Sequence, residues 1–75
     1  MTYVAVYHRG RPGGPEDKKI ERIIGDHGGQ VTGAGTLLVG PHAGQRDVGG
    51  DVPPGRVDAC CQVLRQAGFT KIEVS

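Results

Sequence analysis

The order in which strand-like and helix-like segments follow one another constrains the fold of this chain more than any single motif. Strand patterns are short runs of β-formers, and helical patterns place apolar residues three and four positions apart. The six segments, in chain order, are a strand at residues 3–8, a helix at 15–27, strands at 30–36 and 45–52, a helix at 56–67 and a strand at 71–74. This is the order of the split βαβ, or ferredoxin-like, fold.

The order predicts one α+β domain that spans residues 1–75, because a chain of this length has no room for a second core. Right-handed crossovers would place both helices on one face of a four-stranded antiparallel sheet. In the usual arrangement of this fold the first and third strands are central. The edge of the second strand, residues 30–36, would then be open to a partner.

Glycine and proline separate the periodic segments. The fourteen glycines and five prolines concentrate between them, which predicts generous loops and modest stability. Gly33 and Gly35 predict a bulge or a bend within the second strand. Gly49 and Gly50 make the third strand a poor one on propensity alone. Residues 37–39 fit either an extension of the second strand or the start of a loop.

The net charge is +1, and basic and acidic residues are interleaved along the chain. A nucleic-acid binder that does not read sequence normally has a clear basic excess, since contacts to phosphates supply most of its affinity. Direct nucleic-acid binding is therefore not expected. No apolar run approaches the roughly 18 residues needed to cross a membrane, and no signal-peptide core is evident. We expect a cytoplasmic protein that is a monomer or a weak homodimer.

Alternation along the strands defines the main candidate surface. If the valines of the first and third strands face the helices, the opposite side of the sheet carries tyrosines and charged residues: Tyr3, Tyr7, Asp47, Asp51, Lys71 and Glu73. Aromatic residues on the first strand resemble those of RNA-recognition modules, but carboxylates in mid-sheet would repel phosphates. The face suits a basic protein surface better, and the alternative is a solvated face without a partner. The predicted partner-binding residues are Tyr3, Tyr7, Asp47, Asp51 and Glu73.

A weaker candidate is an anion site formed by Arg9, Arg11 and the glycines before Pro15, at the start of the first helix. This segment loosely resembles the ligand-binding turn of regulatory domains of the ACT type, which implies a metabolite or an anion as ligand. Glu16 and Asp17 already occupy the positive end of the helix dipole, which favours a solvated loop.

Catalytic, metal and cofactor sites are not expected. His8, His27 and His42 fall on different elements without metal-ligand spacing. Cys60 and Cys61 sit in mid-helix, where they read as core residues rather than reactive thiols. Acylphosphatases share the element order, but the Asn that they require is missing because the chain contains no Asn. We therefore predict a protein that is not an enzyme and holds no cofactor.

Three features combine in this short chain: a Gly-rich βαββαβ order, no enzymatic signature, and the segments Gly-Ala-Gly-Thr at residues 33–36 and Arg-Asp-Val at residues 46–48. Over its full length the chain resembles small phage-encoded anti-CRISPR proteins directed at type I effector complexes, type I-C included. The resemblance implies stoichiometric binding to a Cas protein, often at a surface that would otherwise receive DNA. The mixed charge does not fit a whole-molecule DNA mimic, but an acidic patch at Asp47, Asp51 and Glu73 could engage a basic groove.

Overall fold

The computed structural model describes residues 2–41 and 43–75, and its elements follow the predicted order. The strands are β1 (Thr2–His8), β2 (Gln30–Thr36), β3 (Arg46–Val52) and β4 (Lys71–Val74), and the helices are α1 (Pro15–Asp26) and α2 (Val57–Gln66), with a 3-10 turn (Pro54–Arg56) before α2. The strands form one antiparallel sheet in the order β2-β3-β1-β4. The α+β, ferredoxin-like class is confirmed, with β2 at an edge. Neither α-helix of the described residues is long and apolar enough to cross a membrane.

One apolar core lies between the sheet and the helices. The valines at alternate positions of the two central strands are fully buried: Val4, Val6, Val48 and Val52. They form one cluster with the isoleucines of α1 and with Cys60, Cys61 and Leu64 of α2, so both helices cover the same face of the sheet. Because successive side chains of a strand point to opposite faces, the odd-numbered residues of β1 and β3 lie on the uncovered face.

Both helices end where glycine predicts. Gly28 follows α1 with a φ of 75°, and Gly68 follows α2 with a φ of 100°. After α2, the N–H groups of Gly68 and Phe69 donate to the carbonyls of Arg65 and Leu64, each at 3.0 Å. This pair of bonds is a Schellman motif, and it returns Phe69 to the core, where the ring is buried.

Gly50 is required by the close passage of β2. A Cβ at this position would overlap the carbonyl of Gln30 and would lie 2.7 Å from the Cα of Val31. The register between β2 and β3 shifts between Val31 and Gly33, so the predicted bulge is present. The glycine that weakens β3 by propensity therefore makes room for the backbone of its neighbour.

Three apolar residues beside or at the ends of strands are exposed, although apolar residues in strands are usually buried. Residues 37–39 lie outside β2, and the N–H of Leu37 donates to the carbonyl of Gln45 at 2.8 Å at the base of the β2–β3 loop. Leu38 and Val39 are 86% and 82% exposed. Val74, which alternation predicts to be inward, is 48% exposed because it lines a shallow cleft beside α2 instead of packing beneath it.

A pair of Gly→Ala substitutions tests the close approach at Gly50. We expect Gly50→Ala to lower the free energy of unfolding by about 2 kcal/mol or more, because the added methyl meets backbone that cannot rotate away. Gly25→Ala is the control, since a Cβ at this position in α1 meets nothing within 4 Å. It should raise stability by about 0.5–1 kcal/mol, because alanine is the better helix former. Urea titrations of both variants measure the change in the free energy of unfolding. Equal changes would contradict a close approach of β2 at Gly50.

Candidate functional site

The uncovered face of the sheet brings together the residues predicted to bind a partner. In the register of β1 and β3, Tyr3 lies opposite Asp51 and Tyr7 lies opposite Asp47. β4 places Glu73 opposite Ala5, on the same side. The tyrosines and aspartates are partly exposed, and Glu73 is exposed. We call this surface the open face and define it by Tyr3, Tyr7, Asp47, Asp51 and Glu73.

Glycine makes the middle of the open face flat. A Cβ at Gly49 would overlap the hydroxyl and the ring of Tyr3, so the tyrosine lies across β3 at this point. The hydroxyl is 3.9 Å from the position that a Cβ of Gly33 would take in β2. The ring of Tyr3 therefore reaches from β1 towards the edge strand. This packing, and not strand propensity, explains Gly49.

The second tyrosine is held by a carboxylate. The hydroxyl of Tyr7 donates a hydrogen bond to Oε2 of Glu73 at 3.3 Å. Partial burial raises the pKa of Tyr7, and the negative charge of Glu73 raises it further. Lys71 lies opposite Tyr7 on β4. Lys71 shares this side of the sheet with three carboxylates, so the open face is acidic even though the whole chain is not.

A buried polar cluster lies on the covered face, at the end of the sheet where β1 leaves it. We call it the Asp17 cluster and define it by His8, Asp17, Thr36 and Arg46. Nε2 of His8 is 2.6 Å from Oδ1 of Asp17. Arg46 donates to Oδ2 of Asp17 from Nε at 3.0 Å, and its Nη2 is 2.8 Å from the same oxygen. Nη1 of Arg46 donates to the hydroxyl of Thr36 at 3.0 Å.

Asp17 is 2% exposed, yet it is ionised at neutral pH. Burial by itself would raise the pKa of its carboxyl group, but hydrogen bonds from Arg46, from the N–H of Gly13 and from His8 outweigh the burial. The pKa of Asp17 is therefore below the ordinary value of an aspartate. A buried carboxylate with this many donors is a structural anchor whose partners cannot be removed singly without cost.

The cluster also fixes the loop between β1 and α1. The N–H of Gly10 donates to Nδ1 of His8 at 2.9 Å, so Nδ1 is the acceptor and Nε2 carries the hydrogen that is donated to Asp17. The N–H of Gly13 donates to Oδ2 of Asp17 at 2.8 Å. Because both ring nitrogens of His8 are engaged, this histidine holds the loop and is not offered to a substrate.

The sequence places Asp17 at the positive end of the α1 dipole, and the side chain does belong to the first turn of the helix, but the pattern did not predict its burial or its partners. The side chain turns inward to the cluster. The signal was present, because Asp17 precedes Ile20 by three residues and so continues the apolar stripe of α1. His8 and Arg46 likewise continue the inward alternation of their strands. A polar residue in phase with a buried stripe indicates a buried polar partner.

The arginines of the alternative anion site are both exposed. Arg9 lines a cleft beside Phe69. The carbonyl of Arg11 accepts the N–H of Gly14 at 3.0 Å and closes a turn. The N–H of Gly13 already serves Asp17, so one of the amides that an anion would need is occupied by a carboxylate of the chain itself.

The other histidines and cysteines considered as ligands or nucleophiles have structural roles where the structure describes them. Nδ1 of His27 is 2.7 Å from the carbonyl of Ile23 and assists the end of α1. Burial raises the pKa of the Cys60 thiol to about 11 and also raises that of Cys61, which makes both poor nucleophiles. Within residues 2–41 and 43–75, no group of three or more His, Cys, Asp or Glu could hold a metal ion. His42 lies outside the described residues.

No protein-family model matches this chain, and no curated protein is significantly similar to it.

Removal of the Asp17 charge should destabilise the fold. We expect Asp17→Asn to lower the free energy of unfolding by about 3–5 kcal/mol, because it leaves Arg46 buried without a counter-charge. Asp26→Asn removes the same charge from an exposed position of the same helix and should change stability by less than about 0.5 kcal/mol. Thermal and urea denaturation of the two variants give the comparison, and a similar small effect in both would contradict the anchoring role.

The same variant should change the pH dependence of stability. Because the pKa of Asp17 is lowered on folding, its ionisation stabilises the fold above about pH 4, and this contribution disappears as the pH falls through the folded-state pKa. The difference in unfolding free energy between the wild type and Asp17→Asn should therefore narrow on acidification from about pH 6 to pH 2. A difference that is constant over this range would argue against an ionised Asp17.

Proposed function

We propose that this chain is a non-enzymatic protein-binding inhibitor that uses the open face to contact a basic surface of its partner. The juxtaposition of two tyrosines with three carboxylates on an uncovered sheet face carries the proposal. Tyrosine is enriched among the residues that dominate binding energy at protein interfaces, because it buries a large area with few rotatable bonds. Tyr3 lies flat on glycine, and Tyr7 is held by Glu73, so both rings are oriented before a partner arrives.

The charge of the open face favours a particular kind of partner. Asp47 and Asp51 lie on a central strand, and Glu73 lies on the neighbouring edge strand, so the negative charge is concentrated. A groove that normally receives the phosphates of DNA presents complementary basic residues. The resemblance to phage anti-CRISPR proteins suggests a subunit of a type I effector complex as the partner, with competition against target DNA as the mode of inhibition. The chain would then act in the cytoplasm of the host cell.

The β2–β3 loop supplies a second contact element. Leu38 and Val39 are adjacent, large and almost fully exposed. Adjacent apolar side chains that face water are typical of interaction sites. Gly40 and Gly44, both with positive φ, turn the chain beyond them. We propose that this loop packs against the partner beside the contact made by the open face.

Reversal of charge on the open face tests the proposal. The double variant Asp47→Lys and Asp51→Lys should weaken binding to a purified type I effector complex at least tenfold, about 1.4 kcal/mol, because basic side chains would face a basic groove. Binding is measured by biolayer interferometry, and displacement of target DNA by gel shift. Circular dichroism and the melting temperature establish that the variant is folded.

The matched control changes the same number of charges elsewhere. Glu21→Lys with Asp26→Lys alters exposed positions on α1, which covers the opposite face of the sheet. Its affinity should stay within about twofold of the wild type, since long-range electrostatics are screened at physiological salt. Equal loss in both variants would indicate a net-charge effect, and unchanged affinity in the first would exclude the open face. Failure of the wild type to bind any type I complex would exclude this partner.

A further inference from the structure

One buried polar atom has no partner among the described residues. Gln45 is 2% exposed, and no residue within 2–41 and 43–75 donates a hydrogen bond to its Oε1. Buried amide oxygens are nearly always paired, because the loss of water without a replacement donor is unfavourable. Gln45 is held in place by its backbone, since its carbonyl accepts the N–H of Leu37 at the base of the β2–β3 loop. The backbone of Gln45 is therefore held at this end of the sheet, and its side-chain amide oxygen is left without a donor among the described residues.

Gln45 lines a cleft of about 270 Å³. The other side chains of the cleft combine aromatic and cationic groups: Tyr7, His8, Arg9, Phe69, Thr70 and Lys71. The nitrogens of His8 are already engaged by Asp17 and Gly10, so the ring contributes its surface only. The cleft thus offers an acceptor oxygen, a hydroxyl and two cations beside the edge of a buried ring.

A larger cleft of about 590 Å³ adjoins this one across His8 and Phe69. It shares Arg9 but is also lined by Glu16 and Lys19 of α1. An anion would be repelled by Glu16 there, whereas no carboxylate lines the Gln45 cleft among the described residues. Of the two clefts, the Gln45 cleft is therefore the better match for an anion, because Arg9 and Lys71 line it, although Glu73 is hydrogen-bonded to Tyr7 at its wall.

We infer that the Gln45 cleft is a binding site for a small hydroxylated anion, such as a hydroxycarboxylate or a sugar phosphate. The anionic group pairs with Arg9 and Lys71, and a hydroxyl of the ligand donates to Oε1 of Gln45. Because Oε1 is buried in this structure, the side-chain amide has to rotate towards the cleft for this hydrogen bond to form. A ligand that carries an ammonium group instead of a hydroxyl is disfavoured, since two cations already line the walls. This site adjoins the open face, because Tyr7 belongs to that face and also lines the cleft, but its ligand contacts, Arg9, Gln45 and Lys71, are not among the five residues that define the open face.

The test compares ligands that differ by one hydroxyl. Malate and succinate form one pair, and glycerol 3-phosphate and n-propyl phosphate form the other, so the two sources of negative charge are examined separately. Titrations of the full chain are followed by ¹⁵N–¹H NMR. The hydroxylated member of at least one pair should give saturable shifts centred on Gln45, Thr70 and Lys71, with an affinity about tenfold higher than that of its partner.

Two variants assign the contacts. Gln45→Met keeps the length of the side chain but removes the acceptor, so it should abolish the preference for the hydroxylated ligand while anion binding remains. Lys71→Gln, at an exposed position that can be changed without disturbing the core, should weaken both members of the pair, and Lys18→Gln on the exposed side of α1 should weaken neither. The inference is overturned if no ligand gives saturable shifts at the cleft. It is equally overturned if each pair binds alike in the wild type, which would mean unspecific attraction of anions.

Discussion

A buried carboxylate connects the helical layer of this protein to its sheet. Asp17, in the first turn of α1, accepts hydrogen bonds from Arg46 of β3 and His8 of β1, while Gly13 and Gly10 bind the loop between them to the same cluster. An ion pair at this depth is favourable only when every member is present, because each partner left alone is a desolvated charge. The cluster therefore ties the first turn of α1 to the ends of the two central strands, on the face that the buried valines already turn towards the helices.

β3 serves both faces of the sheet at once. Its even-numbered positions, Arg46, Val48 and Val52 among them, face the helices, and its odd-numbered positions carry the carboxylates of the open face. Its two adjacent glycines satisfy opposite demands, one for the ring of Tyr3 and one for the backbone of β2. β3 is the poorest strand of the chain by propensity. It nevertheless contributes residues both to the core and to the candidate interface.

Much of the fold could be predicted from the sequence because its signals are local. Valine alternation in the central strands, the isoleucine stripe of α1 and the glycine stops at Gly28 and Gly68 each depend on a few neighbouring residues. The membership of the open face followed from the same alternation. The Asp17 cluster could not be predicted in full, because its partners are up to 29 residues apart and pair only once the sheet has formed. Val74 lies on the side of α2, as alternation predicts, but it stays half exposed because alternation gives the face of a strand and not how far a helix extends over it.

The shift of register in β2 affects how copies of this chain meet one another. An edge strand with an even row of N–H and C=O groups is a template on which a second molecule can add its own strand and begin to aggregate. The extra residue between Val31 and Gly33 breaks that row and increases the local twist. β2 is therefore a poorer template for the addition of a second strand than an even edge would be, even though it carries no charged side chain.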